Sequence, residues 1–343
     1  MAKNPTDSGL TPLLVLLEYS LQDRSLSEGG IASLRELDPA DWVNVLIEAK
    51  RQRVSGLLFT AVKKLPGSIS VPDEVLLALM AEADRIQRKS RKIQLAETQV
   101  LTLLEKSGLH PVLMKGSRCA RFYPDPDLRE SGDIDLYLPP AEFSLSLQIL
   151  KDVGFDLTDA PDGSIHYTVD RIDIDQHRSY FDLHRHSRAL PPVPSDEAEI
   201  LLLATHILKH ASGTGVGLRQ ICDFALAFHH DPGLTEHLDD CFRKAGLQRW
   251  EAALLSFSHI YLGFPPGKTT VPVRSFMRII QEGGDFGHHA TGRFSALEQR
   301  DSSRKKDTLR RMLRHLPFAL HYAPGEALKN LLDLMWGNLR LKI

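Results

Sequence analysis

The chain has 343 residues, 42% hydrophobic and 25% charged, with 42 basic side chains against 44 acidic ones and a formal charge of −2. That length is ample for a large core and for two or three structural units. The near-zero charge excludes a protein that grips nucleic acid or an anionic membrane by general attraction, so no stable DNA binding is expected.

Three scattered cysteines (Cys119, Cys222 and Cys241) lack metal-binding spacing and read as free thiols of a reducing cytoplasm. The opening residues have no basic leader or cleavage site, so no signal peptide is expected. No run approaches the roughly 18 uncharged apolar residues that a transmembrane helix needs.

Residues 1–109 read as an N-terminal helical region. Thr11-Pro12 opens a helix through about Leu21, and Asp38-Pro39 opens another with Trp42, Val45, Leu46 and Ala49 on one face. A third follows from Val54 to about Lys64. A long helix starts after Val71-Pro72, with an apolar stripe of Leu76, Met80, Ala83, Ile86, Ile93, Ala96, Val100 and Leu104. Its basic middle, Arg85 to Lys92, reads as a solvated face or as a wall of a polyanion site.

Residues 110–190 read as an αβ core. Pro111–Met114 is a strand, Lys115-Gly116-Ser117 a tight turn, Ser117–Tyr123 a short helix, and Asp133–Leu138 a second strand closed by two prolines. Glu142–Val153 is an amphipathic helix ending at Gly154. Further strands are expected at Phe155–Thr158, Ser164–Val169 and Ser179–His184, giving an α+β protein with a small mixed sheet.

The chemistry lies in the first part of this core. Residues i and i+2 of a strand point the same way, so Asp133 and Asp135 stand side by side about 7 Å apart at the backbone. Two like charges at that spacing call for a cation between them. Mg²⁺ is the expected one, because it takes oxygen ligands and bridges to phosphates. The Lys115-Gly116-Ser117 turn offers backbone N–H groups, a hydroxyl and a positive charge to a phosphate.

Residues 191–343 read as a C-terminal helical region. Ser195 caps a helix from Asp196 to His210, and Leu218–Phe228 is the next. His206 and His210 have an i, i+4 spacing seen in metal sites, but Ile207 stands where a His-Glu-x-x-His motif has its glutamate, so they read as packed histidines. A Gly-rich turn spans residues 283–289. From Asp301 onward the chain is basic and amphipathic, which reads as a docked helical pair.

The string LMKGSRCARFYPDPDLRESGDIDLYL resembles an uncharacterised nucleotidyltransferase family of bacteria, within the superfamily that has the polymerase-β-type palm. Its members read Leu-Lys-Gly, then Tyr-x-Asp-Pro, then Arg-x-x-Gly-Asp-Ile-Asp-Leu. The resemblance implies a nucleotidyltransferase palm at 110–190 flanked by the two helical regions. It also implies a third carboxylate from a later strand. Asp182, in YFDLHRH, resembles the family's acidic-Leu-His-Trp segment and is preferred; Asp175, in RIDID, is the alternative.

On this reading Asp133, Asp135 and Asp182 hold Mg²⁺, with Mn²⁺ as a substitute, and move a nucleotide from a nucleoside triphosphate to a hydroxyl or phosphate. Lys115, Gly116 and Ser117 bind the phosphates, and Arg129 reaches the phosphates or braces the carboxylates. The acceptor is expected to be a peptide, a protein, or a sugar or other small molecule. The competing readings are a nucleotide-binding pseudo-enzyme, an interaction protein and a toxin-like transferase that modifies tRNA.

Overall fold

The structure, a computed structural model, describes residues 7–22, 24–160, 163–181, 183, 190–213, 215–283 and 313–329. Asp182, all but the first residue of the Gly-rich turn, and most of the basic C-terminal stretch lie outside the described residues. The chain divides into two compact units, one of Ser8–Ala49 and Val54–Phe181, the other of Met1–Asp7, Lys50–Arg53 and Asp182–Ile343.

The first unit opens with four helices: α1 (Asp7–Leu21), α2 (Glu28–Arg35), α3 (Pro39–Arg51) and α4 (Ser55–Lys63). Trp42, Val45, Leu46 and Ala49 are buried on α3, as their spacing requires. The additional helix α2 is set by a polar cap: Ser27 Oγ accepts the Gly30 N–H at 3.1 Å.

The 34-residue α5 (Asp73–Lys106) starts with Asp73 and Glu74 at its positive end. Its stripe is shifted by one residue at the start. Val75 and Leu79 are buried, whereas Met80 is 57% exposed. From Ala83 on, the stripe follows the sequence periodicity. Arg85 and Arg88 in the basic middle are exposed and pair with Glu82 and Asp84 of the same helix, the solvated arrangement.

Then come β1 (Val112–Met114), α6 (Gly116–Ala120), β2 (Ile134–Tyr137), α7 (Pro140–Val153), β3 (Thr158–Asp159), β4 (Ile165–Val169) and β5 (Ile172–His177). The five strands make one mixed sheet in the order β1-β2-β5-β4-β3. β2 and β5 are parallel neighbours, and the other pairs are antiparallel. The fold is α+β.

The last long strand is earlier than the sequence pattern suggests. It runs over Ile172–His177, and the described residues of 178–183 form no strand. The cause is the turn at Asp170 and Arg171, whose φ values of 50° and 66° make a tight two-residue hairpin. No glycine marks it; Gln99 of α5 holds it by donating to Asp170 Oδ2 at 2.9 Å.

Burial alternates along β2, β4 and β5, so the sheet has an inner and an open face. Ile134, Leu136, Ile165, Tyr167, Val169, Ile172 and Ile174 pack inward with Ile93, Ala96, Val100 and Leu104 of α5 and Phe143 and Leu150 of α7. One inward position is polar. Gln176 is fully buried, accepts the Tyr167 hydroxyl at 3.1 Å and donates to Ser146 Oγ at 2.8 Å. A satisfied buried amide tolerates this place, and a one-residue slip of β5 would strand it.

The second unit is helical among its described residues. It contains α8 (Asp196–Ser212), α9 (Leu218–His230), α10 (Thr235–Ala245), α11 (Gln248–Leu262) and α12 (Arg274–Gly283), with helix again at 313–322 and 324–329. Ser195 caps α8 by accepting the Ala198 N–H at 3.1 Å. Trp250 is fully buried against Phe276, Phe318 and Tyr322, and its indole N–H donates to the Ala204 carbonyl at 2.7 Å. His206 and His210 pack edge to face, ring centroids 4.4 Å apart. No helix among the described residues is long and apolar enough to cross a membrane.

Candidate functional site

The open face of the sheet collects the polar residues of the alternating strands. Asp133, Asp135 and Tyr137 come from the β2 segment, and Asp173, Asp175 and His177 from β5. The parallel register pairs Asp135 directly with Asp175 and Tyr137 with His177. Two carboxylates that sequence alone leaves 40 residues apart therefore stand opposite each other on adjacent strands.

His177 bridges them, its Nε2 lying 3.1 Å from Asp135 Oδ1 and 3.4 Å from Asp175 Oδ2. One ligand atom from each of Asp135, Asp175 and His177 lies within 4.8 Å of the others. Sequence reasoning missed His177. The signal was present: an acidic-x-His pattern at 175–177 puts both side chains on one face of a strand, as 182–184 does only if that segment is extended.

Lys115 enters the same cluster from the end of β1. Its ammonium is 3.0 Å from Asp135 Oδ1, with both side chains nearly nine-tenths buried. The backbone of Lys115 has φ 49° and ψ −139°, a sparsely populated conformation for a residue with a Cβ, and Gly116 follows at φ 46°. Such strain costs about 1–3 kcal/mol and persists where surrounding contacts hold it. Met114, paired with Asp135 across β1 and β2, and the Lys115–Asp135 ion pair are those contacts here.

Ser117 is placed differently from Lys115. Its hydroxyl donates to Glu97 Oε1 at 2.5 Å, on α5. Glu97 is only 8% exposed. Burial raises the pKa of its carboxyl, while the Ser117 hydrogen bond and the nearby Arg129 guanidinium oppose the rise. Arg129 is itself 4% exposed and donates to Ser131 Oγ at 2.6 Å, so it is a buried arginine.

The loop between α6 and β2 is tied down on both sides. Gln94 of α5 donates to Asp127 at 3.1 Å, and Glu130 accepts the Ser55 N–H at the start of α4 at 3.0 Å.

The donor set suits a divalent cation. Carboxylate oxygens are the ligands of hard ions, and an added imidazole nitrogen also suits Mn²⁺. Asp175 Oδ1 is buried without a hydrogen-bond partner, although His166 Nε2 lies 3.2 Å away outside hydrogen-bonding geometry. A buried carboxylate oxygen left in that state costs free energy that a cation recovers. Of the residues singled out from sequence, the structure brings together Lys115, Asp135 and Asp175. It sets Asp133 immediately before β2, two residues before Asp135, and places Ser117 and Arg129 beside Glu97. Asp182 lies outside the described residues.

A family model described as an uncharacterised nucleotidyltransferase matches residues 38–263 of the chain. No curated protein matches the chain.

Proposed function

We propose, for a chain that belongs to the family of uncharacterised nucleotidyltransferases, that Asp133, Asp135 and Asp175 are the carboxylates of a divalent-cation-dependent nucleotidyl transfer. The chain is a transferase of phosphorus-containing groups, and its donor is a nucleoside triphosphate. The observation that carries the residue assignment is the parallel register of Asp135 with Asp175.

Asp133, Asp135 and Asp175 would hold a divalent cation, which when bound would neutralise the triphosphate and lower the pKa of an acceptor hydroxyl. The acceptor oxygen attacks the α-phosphorus as the bond to the bridging β-phosphate oxygen breaks, pyrophosphate leaves, and a carboxylate of the set takes the hydroxyl proton. His177 keeps Asp135 and Asp175 oriented. The Lys115 ammonium neutralises Asp135 before substrate arrives and turns to the phosphates afterwards. The first-turn amides of Gly116 and Ser117, which have no acceptor among the described hydrogen bonds, contact the phosphates. The near-neutral net charge favours a small-molecule, peptide or protein acceptor over a polynucleotide track.

The test uses each nucleoside triphosphate labelled at the α-phosphate, with Mg²⁺ or Mn²⁺ and a cell extract. One α-label is expected to enter an acceptor, and chelation should stop it. Transfer of a γ-label instead would mean a phosphoryl transferase and overturn the proposal.

The Glu97 contact sharpens the phosphate assignment. A hydroxyl has a single proton, and phosphate oxygens at neutral pH only accept. With that proton on Glu97, Ser117 serves the site through its amide. Ser117→Ala should therefore cost about 1–3 kcal/mol of stability, the price of a buried acceptor left unpaired, while triphosphate affinity changes little. A loss of affinity of about tenfold or more, the worth of a charge-assisted hydrogen bond, would reassign the hydroxyl to the phosphate. Thermal unfolding and a nucleotide titration on the same variant separate the two outcomes.

A further inference from the structure

Asp175 and His177 are two residues apart on β5 and share its open face, and the parallel register sets them beside Asp135 and Tyr137 of β2. His177 Nε2 lies 3.1 Å from Asp135 Oδ1 and 3.4 Å from Asp175 Oδ2. Two ligands at right angles on an octahedral ion, each about 2.1 Å from it, are about 3 Å apart. The nitrogen is therefore spaced from both carboxylates as a third ligand would be. Among the described residues, these three side chains are the group whose ligand atoms converge in this way.

A second histidine offers a comparison. His166, opposite Asp175 on β4, brings its Nε2 to 3.2 Å from Asp175 Oδ1. The same nitrogen lies 3.3 Å from Ser164 Oγ, and 54% of the side chain is exposed, against 19% for His177. A half-exposed ring shared with a hydroxyl is less fixed than one held between two carboxylates on adjacent strands.

The nitrogen bears on which ion the site takes. Mg²⁺ takes oxygen ligands and gives up its water reluctantly, whereas an imidazole nitrogen suits first-row transition ions. A nitrogen in the ligand set therefore discriminates between ions that carboxylates alone would hold more nearly alike. Coordination through Nε2 needs the ring proton on Nδ1.

We propose, resting on the transfer reading above, that His177 Nε2 is itself a ligand of the cation and makes the site select a first-row transition ion, such as Mn²⁺, over Mg²⁺. The same nitrogen already bridges the two carboxylates, so little ordering of the ligands is left to be done when the ion binds.

The test is titration of the full-length protein with Mn²⁺ and with Mg²⁺ by calorimetry, joined to pulsed electron paramagnetic resonance, which detects nitrogen bound to Mn²⁺. The parent should bind Mn²⁺ more tightly than Mg²⁺ and show a nitrogen coupling. His177→Gln, whose amide reaches the same place, should lose the coupling and bind Mn²⁺ about tenfold or more weakly, while Mg²⁺ affinity changes little. A residue that only orients the carboxylates would alter both ions alike. His166→Gln should keep the coupling. No saturable Mn²⁺ binding, no nitrogen coupling in the parent, its retention in His177→Gln or its loss in His166→Gln would each overturn the proposal. Should His177→Gln fail to fold, the parent grown on isotope-labelled histidine carries the test, and an unchanged coupling there would overturn it. Mn²⁺ bound without a nitrogen coupling would leave the transfer reading intact, whereas a coupling without transfer of any α-label would overturn the transfer reading alone.

Discussion

Asp175→Asn should lower label transfer from an α-labelled nucleoside triphosphate about a thousandfold, because a carboxylate that holds the cation supplies several kcal/mol and each 1.4 kcal/mol is about tenfold in rate. The amide keeps the size and shape of the side chain, so the β2–β5 register and the packed face beneath it should be undisturbed. Asp135→Asn should be as severe. It also removes the charge opposite the buried Lys115 ammonium at 3.0 Å, so unlike Asp175→Asn it should lower stability as well as activity.

Asp182→Asn is the contrast that gives the experiment its force. On the proposal that Asp175 is the third carboxylate, this variant should retain most of its transfer activity. The reverse pattern, with Asp182→Asn inactive and Asp175→Asn near normal, would return the third carboxylate to Asp182. Mn²⁺ titration followed by electron paramagnetic resonance adds a readout that does not depend on knowing the acceptor. The Asp175 variant should bind the ion more weakly, and the Asp182 variant should match the parent.

The second large effect is structural. Gly56→Ala should destabilise the first unit by about 3 kcal/mol or more, at the upper end of overpacking penalties. Gly56 is buried on α4, and a Cβ built there would lie 1.9 Å from the Leu128 carbonyl oxygen and 2.8 Å from its carbon. Both are backbone atoms, so no side chain can swing away to make room.

The segment that would have to move carries Arg129, which sits beside Glu97, and Glu130, which caps α4 through the Ser55 N–H. At roughly 2–4 °C per kcal/mol for a domain of this size, the melting temperature should fall by about 6–12 °C. Gly29→Ala is the control. Nothing lies within 4 Å of a Cβ at that helical position, so the substitution should be neutral or stabilising by up to about 1 kcal/mol. Equal melting temperatures for Gly56→Ala and the parent would show that the close approach of α4 and Leu128 is absent in solution.

The two predictions differ in how much of their basis could be read from the sequence. Asp133 and Asp135 were legible as a carboxylate pair because alternation is a local property: two residues apart on a strand means one face, whatever the rest of the chain does. The same local rules gave the α3 face, the α7 C-cap at Gly154 and the central stripe of α5. They also supported the family assignment, since the motif string is continuous in the chain.

They were less reliable where a local signal was weak. The hairpin at Asp170-Arg171 has no glycine, so the expected strand was displaced to Ser179–His184. The preference for Asp182 rested on the resemblance of YFDLHRH to the family's acidic-Leu-His-Trp segment, and Asp182 lies outside the described residues.

What the sequence by itself determined is therefore the α+β class, the strand–turn–helix–strand segment and the chemical character of its carboxylates. Each rests on contacts between residues near in the chain, where spacing alone fixes which side chains share a face. Only the tertiary structure decided which distant groups join them. The sheet order β1-β2-β5-β4-β3 sets Asp175 and His177 against Asp135, the strained turn lays Lys115 on the same carboxylate, and α5 brings Glu97 to the Ser117 hydroxyl. These pairings follow from burying one face of the sheet against α5 and α7, a requirement of the whole core that no window of sequence contains.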